Sequence, residues 1–353
     1  MQRSFSIDVL KVFAAQLIVW HHLSAYGLVA DTLRLAWPNL ITFLYEYSRM
    51  AVQVFLVIAG YLMAQSLNQR AVGPLGSSLL KRYWRLTPPL LAALLWVSAT
   101  VALARPFVQG DWLPLAPQLL QVAAHALMLQ GLLDVPALSS GVWYVAIDFQ
   151  LYALMTVLTV AVTRITEAHR QLSAQALSLC VLLLCCAAFY FFNLNKAWDN
   201  WGVYFFGSYG LGILAAWSKR SRFDHLVFVL ALGLALLSQL IAFRGRLSVA
   251  MLTALLLSFA CESTRPWGVW RNRIHRLANS SYAQFLTHFG VIVLFNTLWA
   301  IERLSHPALA LCFALLAWLC SIAIGMLFHE RVETALSHWR PQPTRLIFWR
   351  VSN

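Results

Sequence analysis

Long apolar stretches alternate with short polar segments along nearly the whole chain. Most of these stretches hold about 20 residues, the length that an α-helix needs to cross a bilayer. Read together with the distribution of lysine and arginine, they predict ten membrane spans. The predicted spans cover residues 7–29, 48–67, 86–105, 143–163, 175–193, 202–217, 226–242, 247–261, 281–300 and 307–328. We therefore predict an all-α polytopic membrane protein, with residues 1–353 as a single integral-membrane domain.

One further apolar run, residues 117–133, breaks the alternation if it is made to cross the membrane. It is short, contains His125 and is flanked by Pro114, Pro117 and Pro136. Irregular backbone at membrane depth is tolerated only where protein or water surrounds it. We expect this run to form a short external helix that is interfacial or partly re-entrant.

Composition agrees with a membrane protein and indicates its orientation. Hydrophobic residues make up 60% of the 353 positions and charged residues 11%, against about 25% charged residues in a soluble domain. A net charge of +13 would favour nucleic acid on a soluble protein, but here the cations cluster between apolar runs. We expect no nucleic-acid partner, and cytoplasmic termini, because that orientation places most basic residues inside. The inner residues include Arg70, Lys81, Arg82, Arg85, Arg164, Arg170, Lys219, Arg220, Arg222, Arg265, Arg271, Arg273, Arg276 and the tail arginines.

The six cysteines lie in or beside apolar stretches, without a CxxC pair or the spacing of zinc ligands. Cysteines in such positions commonly pack as small hydrophobic side chains. We predict neither a metal site nor a disulfide bond.

The first apolar run carries four ionisable side chains, Asp8, Lys11, His21 and His22, where charge is costly. At about 100° per residue, Asp8, Lys11 and His22 share one helical face, and His21 points about a quarter turn away. Lys11 and His22 are eleven positions apart, which is about 16 Å along a helix. A lone histidine near a helix end is commonly an interfacial anchor, but a cation on the same face favours a functional site.

A basic cluster precedes the third predicted span. Arg82 and Arg85 are three residues apart at a helix start and therefore share a face. Guanidinium groups match phosphate oxygens in bidentate geometry, so an anionic cofactor such as coenzyme A would fit there. The alternative is an anchor of the kind that the positive-inside rule predicts.

Two later spans also carry polar side chains within apolar sequence. Asp148 lies about one and a half turns into the fourth span, and a carboxylate at that depth needs a partner, such as a histidine on a neighbouring helix. In the ninth span, Ser281, Gln284 and His288 form a polar stripe. The alternatives are an interfacial cap for Asp148 and ordinary packing for His288.

The first apolar run, which contains Asp8 and His22, resembles the opening motif of the acyltransferase-3 family of integral-membrane acyltransferases. That motif has an acidic residue, a leucine followed by a basic residue, ten further residues and then a histidine. Asp8, Leu10, Lys11 and His22 match it. Four more motifs follow in the family's order and extend the resemblance to residue 288.

Two of these motifs stand at the starts of the third and ninth spans. Arg82, Arg85 and Pro88 are similar to the family's Arg-x-x-Arg followed by proline. The segment that ends at His288 is similar to Ser-Tyr-x-x-Tyr-Leu-x-His, with Phe285 in place of the second tyrosine.

The other two motifs, in the second and fourth spans, depart from the family's pattern. Gln53, Ala59 and Tyr61 stand where aspartate, serine and phenylalanine are usual, so a charged role at position 53 is in doubt. Gly60 is better explained by close helix approach than by substrate contact. Asp148 stands where the family has glutamate, which keeps the charge but shortens its reach by one methylene.

The resemblance implies transfer of an acyl group, acetyl in the first instance, from cytoplasmic acyl-CoA to a hydroxyl of an extracytoplasmic or lipid-linked glycan. Such O-acetylation modifies polysaccharide and would take place in a bacterial inner (cytoplasmic) membrane. By residue chemistry, His22 would act as the general base or carry the acyl group, and Asp148 would orient its imidazole. His288 lies in the cytoplasmic half of the predicted topology, which suggests the cofactor path. The predicted cofactor contacts are Lys11, Arg82, Arg85 and His288.

Two alternatives stay open. A transporter or flippase of a small polar or lipid-linked sugar would use the same intramembrane charges as a substrate path, although no paired broken-helix repeats are visible. A relative of the acyltransferases without activity is suggested by Gln53 and Ala59.

Overall fold

The computed structural model describes residues 4–69, 75–167, 169–260 and 268–338, and its regular secondary structure is helical. Of the predicted inner residues, five lie outside these ranges: Arg70, Arg265, Arg340, Arg345 and Arg350. The α-helices are α1 Phe5–Ala25, α2 Gly27–Ala36, α3 Pro38–Ser48, α4 Ala51–Gln69, α5 Leu75–Ala104, α6 Leu119–Ala126, α7 Trp143–Ile165, α8 Arg170–Tyr190, α9 Gly202–Trp217, α10 Arg222–Ile241, α11 Gly245–Phe259, α12 Gly268–Ile301, α13 Pro307–Phe328 and α14 Thr334–His338.

Seven helical segments are long and apolar enough to cross a membrane. An eighth span forms if α1 and α2, which meet at a bend of 84°, are counted together. Two shorter apolar helices, α9 with 16 residues and α11 with 15, occupy the remaining predicted spans. The prediction of an all-α polytopic membrane protein is confirmed.

Helices α1 and α12 run side by side in the same direction. Near their starts, Nδ1 of His275 lies 2.9 Å from Oδ2 of Asp8. Farther along, the side-chain amides of Gln16 and Gln284 bond each other at 3.1 Å. The face of α1 that carries Asp8 therefore packs against α12, where Asp8 and Gln16 each meet a polar side chain.

Helix α5 lies on another side of α12, again in parallel. The hydroxyl of Tyr282 donates to the carbonyl of Leu86 at 3.0 Å, and Nε1 of Trp96 donates to the carbonyl of Thr287 at 3.1 Å. Because α1, α5 and α12 run the same way, the bundle has two distinct ends. We call the end where these three helices begin the near side and the end where they finish the far side.

Helices α4 and α9 cross at very short range. A Cβ atom built on Gly60 would lie 1.9 Å from the carbonyl oxygen of Tyr209, and one built on Gly212 would lie 2.0 Å from that of Val57. Only glycine leaves room for this contact between two backbones. The prediction that Gly60 serves close helix approach is confirmed.

The segment between α5 and α7 folds back into the bundle. The hydroxyl of Tyr83 donates to the carbonyl of Ala126, at the end of α6, at 2.9 Å. Tyr83 lies 21 residues before the end of α5, about 32 Å along the helix. His125 is buried here, and its ring links the carbonyl of Gln121 to the N–H of Leu138 at 2.7 and 3.2 Å. Of the two expected forms of this helix, these contacts favour the re-entrant one.

Candidate active site

Two histidines meet in the core between α1 and α12. Nδ1 of His22 and Nε2 of His288 are 2.6 Å apart. The rings stack with their centroids 4.8 Å apart, and both side chains are buried. His22 lies three residues before the end of α1, so the pair is closer to the far side than to the near side.

The hydrogen bonds around the pair define which nitrogens carry protons. Nδ1 of His288 lies 3.1 Å from the carbonyl oxygen of Gln284, and since a carbonyl only accepts, Nδ1 must donate. In a neutral ring, Nε2 of His288 is then an acceptor, and Nδ1 of His22 donates to it. This leaves the lone pair of His22 on Nε2, for which the described residues supply no hydrogen-bond partner. His22 is thus held in the tautomer that a general base needs.

The structure places His288 beside His22 rather than apart from it, and its predicted contact with the cofactor stays a prediction. The polar stripe of the ninth span does exist, and its members face α1, where Gln284 bonds Gln16. However, α12 begins at Gly268, and His288 lies twenty residues into it. The parallel packing of α12 against α1 then brings His288 level with His22.

Asp148 does not orient His22, contrary to the prediction. Its carboxylate forms an ion pair with the guanidinium of Arg82. The side chain of Asp148 is 7% exposed and that of Arg82 is 21% exposed, and Arg82 also lies over the ring of Tyr152 at 5.1 Å. A partly buried carboxylate gains more from a guanidinium than from a neutral imidazole, because charge-assisted bonds are the stronger ones. The guanidinium of Arg82 is thus already paired with a carboxylate, and the predicted binding of cofactor phosphates by Arg82 and Arg85 stays a prediction.

A cavity of about 640 Å³ opens beside His22. Helices α1, α4, α7 and α12 all contribute to its wall, and four basic side chains also line it. The wall includes His21, His22, Gln53, Trp143, Tyr144 and Phe285, and the basic side chains are Arg49, Lys196, Arg244 and Arg246. The amide of Gln53 accepts a hydrogen bond from Ser208 at 2.6 Å, so position 53 is polar but uncharged.

Two neighbouring residues, Gly141 and Tyr26, lie against the ring of His22 in this wall. Gly141 has φ +84°, and a Cβ atom there would lie 3.4 Å from Cε1 of His22 and 3.3 Å from the ring of Phe285. Tyr26 stacks on His22 with centroids 5.7 Å apart, and its hydroxyl accepts a hydrogen bond from Ser140 at 3.0 Å. A side chain at position 141 would thus be strained and would crowd the imidazole.

Comparison with protein families matches residues 4–329 to an acyltransferase domain. The chain belongs to the acyltransferase-3 family. Comparisons with curated proteins and with solved structures gave no match. The match covers every motif that the sequence analysis quoted, including the segment that contains His22 and His288.

Two of the residues that the acyltransferase-3 motifs single out lie toward the near side. Lys11 is half-buried on α1, and Arg85 is exposed on α5, one turn beyond Arg82. Within the described residues, the cavity beside His22 is lined by neither of them. The described residues also contain no group of three or more histidine, cysteine, aspartate or glutamate side chains that could hold a metal ion.

The sequence analysis did not identify several residues of the candidate active site. Gln16, Tyr26 and Gly141 carry no signal of their own, because their roles depend on which helices pack together. Arg244 and Arg246 did carry a signal. They are basic residues in a loop that the positive-inside rule assigns to the outside, where such residues are disfavoured.

Proposed function

We propose that this protein is a membrane O-acyltransferase that moves an acetyl group from acetyl-CoA to a hydroxyl of an extracytoplasmic or lipid-linked glycan. Membership of the acyltransferase-3 family supports acyl transfer. The observation that carries the proposal is the His22–His288 pair, which presents a basic imidazole nitrogen in the wall of a cavity of about 640 Å³. That volume lies within the usual range for small-molecule sites.

In the reaction, Nε2 of His22 takes the proton of the acceptor hydroxyl as its oxygen attacks the thioester carbonyl. The carbon–sulfur bond then breaks, and the departing thiolate of coenzyme A takes up the proton. His288 is a positioning residue. Its Nε2 accepts a hydrogen bond from Nδ1 of His22, and its Nδ1 donates a hydrogen bond to the carbonyl of Gln284. Both the general-base route and a route through an acyl-histidine use the same nitrogen.

The donor enters from the near side in this proposal. The positive-inside rule makes that side cytoplasmic, with both termini there, in a bacterial inner membrane. Lys11 and Arg85 supply positive charge for the phosphates of coenzyme A, and Arg82 acts mainly through its ion pair with Asp148. His288 is not among the residues that line the cavity, and it acts through His22 rather than on the phosphates of the donor.

Replacing His22 tests the proposal. A His22→Ala protein in proteoliposomes is expected to lose acyl transfer by about 10²-fold or more, the usual contribution of a general base. Release of the coenzyme A thiol and mass analysis of the glycan measure it. His306→Ala is the matched control, because His306 is an exposed histidine that caps α13 away from the cavity.

Full activity of the His22→Ala protein at a normal level of folded protein would contradict the proposal. Flipping or uptake of a sugar by the purified wild type without acyl-CoA, together with no consumption of thioester, would instead support the transporter alternative.

A further inference from the structure

Positive charge is concentrated in the cavity beside His22. Arg49, Lys196, Arg244 and Arg246 line it, against one carboxylate, that of Asp199. Within the described residues, none of these four cations takes part in an ion pair. The cavity therefore holds an excess of positive charge that the protein itself does not neutralise.

The orientation of the proposed function makes this concentration unusual. Basic residues are depleted on the outer side of membrane proteins. Seven of them lie in the outer segments of the predicted topology: Arg34, Arg49, Arg105, Lys196, Arg244, Arg246 and Arg303. Four of the seven, which come from three separate segments of the chain, line the same cavity. Membrane topology alone gives no reason for this convergence.

Arg244 is held rigidly by neutral groups. Its guanidinium donates to the carbonyl of Phe189 at 2.9 Å, to Oδ1 of Asn193 at 3.0 Å and to Oγ of Ser238 at 2.8 Å. The carbonyls of Ala242 and Ser238 accept the other two N–H groups at 3.2 and 3.4 Å, so Arg244 contributes positive charge to the cavity rather than a free hydrogen-bond donor. The residue is 8% exposed. Burial, and then the charge of Arg246, lower the pKa of Arg244, but an arginine stays protonated at any physiological pH. A buried charge without a counter-ion is costly, and an anion in the cavity would offset that cost.

Arg246 lies two residues further on, at the start of α11. Its guanidinium lies over the ring of Tyr204, 4.8 Å from the centroid, and it donates to the carbonyl of Asn193 at 3.4 Å. These contacts hold the side chain in place beside Arg244 and leave its charge uncompensated. A planar guanidinium that is fixed in this way and keeps N–H groups to donate suits carboxylate or phosphate oxygens.

We propose that the acceptor is an anionic glycan, whose carboxylate or phosphate group binds at Arg246, beside the positive charge of Arg244, while a nearby hydroxyl reaches His22. Lys196 and Arg49, both exposed, complete the positive wall and attract the acceptor from solution. This inference rests on the proposed function and deepens it, because it names the chemical class of the acceptor.

The test compares one glycan in charged and neutral forms. Full-length protein is placed in phosphatidylcholine vesicles, which carry no net charge, and is supplied with acetyl-CoA. The acceptor is surface glycan from cells that lack the protein, in three forms: untreated, with its carboxylates reduced to alcohols, and with its phosphates removed by hydrogen fluoride. Initial rates of acetyl transfer are measured against glycan concentration.

We expect one of the two treatments to lower kcat/KM by about tenfold or more, as for the loss of a charge-assisted bond. The effective treatment identifies the anion as carboxylate or phosphate. Arg246→Gln should raise the KM for untreated glycan by a similar factor and have no further effect on the neutralised glycan, because both changes remove the same contact. Arg303→Gln, the same change of charge outside the cavity, is the matched control. Lys196→Gln, at an exposed position, gives a second variant if Arg246→Gln does not fold.

The outcomes separate the two proposals. Equal kcat/KM for all three glycan forms, with Arg246→Gln and Lys196→Gln unchanged, would overturn the anionic acceptor and leave the acyltransferase proposal intact. No acetyl transfer to untreated glycan by the wild type would overturn both.

Discussion

A chain of two hydrogen bonds to neutral acceptors holds the imidazole of His22. Nδ1 of His22 donates to Nε2 of His288, and Nδ1 of His288 donates to the carbonyl of Gln284. In the familiar catalytic triad, a carboxylate holds this place and stabilises the imidazolium by its charge. Here the ring is fixed by the same geometry without that charge. A substitution that keeps an acceptor at position 288 should therefore be much milder than one that removes it.

Replacing His288 with glutamine and with leucine separates these effects. The amide oxygen of glutamine can accept the Nδ1 hydrogen of His22, whereas leucine leaves it unpaired in a buried site. We expect kcat to fall by about tenfold for His288→Gln and about 10²-fold or more for His288→Leu, with the KM for acetyl-CoA unchanged. Steady-state kinetics measure both. An equal loss in the two variants would indicate a purely structural role for this residue.

The ion pair of Asp148 and Arg82 is a second residue-scale feature that can be tested. Removing one partner of a buried pair leaves an uncompensated charge and commonly costs about 3–5 kcal/mol, less where the charge reaches solvent. Asp148→Asn should therefore lower the free energy of unfolding by about 2–4 kcal/mol, because Arg82 is partly exposed.

A double substitution tests whether Asp148 and Arg82 stabilise the fold as a pair. Asp148→Asn combined with Arg82→Gln should recover most of the lost stability, since no lone charge then remains. Denaturant unfolding in detergent micelles measures it. If the double variant is no more stable than Asp148→Asn alone, the two side chains do not act as a pair.

At the scale of elements, the crossing of α4 and α9 depends on the absence of side chains. Gly60→Ala would place a methyl group 1.9 Å from a carbonyl oxygen of the facing backbone, so the helices must separate. We expect a loss of about 1–3 kcal/mol in the free energy of unfolding, as for other overpacked sites.

Gly233→Ala in α10 is the matched control for that substitution. A Cβ atom there meets nothing within 4 Å, and alanine favours a helix over glycine by about 0.5–1 kcal/mol. The control should therefore be neutral or slightly more stable. Thermal unfolding in the same detergent compares the two variants, and equal stabilities would contradict the close crossing.

Hydrophobic length predicts most of the helices, but the short helices α9 and α11 and the form of α6 need further information. Helices α9 and α11 are shorter than a typical span, yet their apolar runs were recognisable because polar loops bound them on both sides. The apolar run that forms α6 is compatible with either an interfacial or a re-entrant helix. The hydroxyl of Tyr83 decides it by reaching the carbonyl of Ala126, a contact between segments whose approach no local pattern encodes.

At the scale of the whole molecule, the orientation in the membrane is the main expectation to check. Lys196 and Lys81 are both exposed and belong to opposite sides of the predicted topology. In a protein whose six cysteines are replaced by alanine, Lys196→Cys should react with a membrane-impermeant maleimide in intact cells. Lys81→Cys should react only after the cells are made permeable. The reverse pattern of labelling would invert the orientation and place the cavity beside His22 on the cytoplasmic side.

The helical class, the positions of the apolar runs and the family can be read from the sequence alone, because hydrophobic length and ordered short motifs are local properties of the chain. His22 also stands out in the sequence, since an ionisable group in an apolar run is unusual wherever the run packs. Only the tertiary structure decided which polar groups meet. The packing of the helices pairs His22 with His288 and Asp148 with Arg82, and it gathers four cations from three distant segments in one cavity. That packing depends on how whole helix surfaces fit together, and no single segment records it.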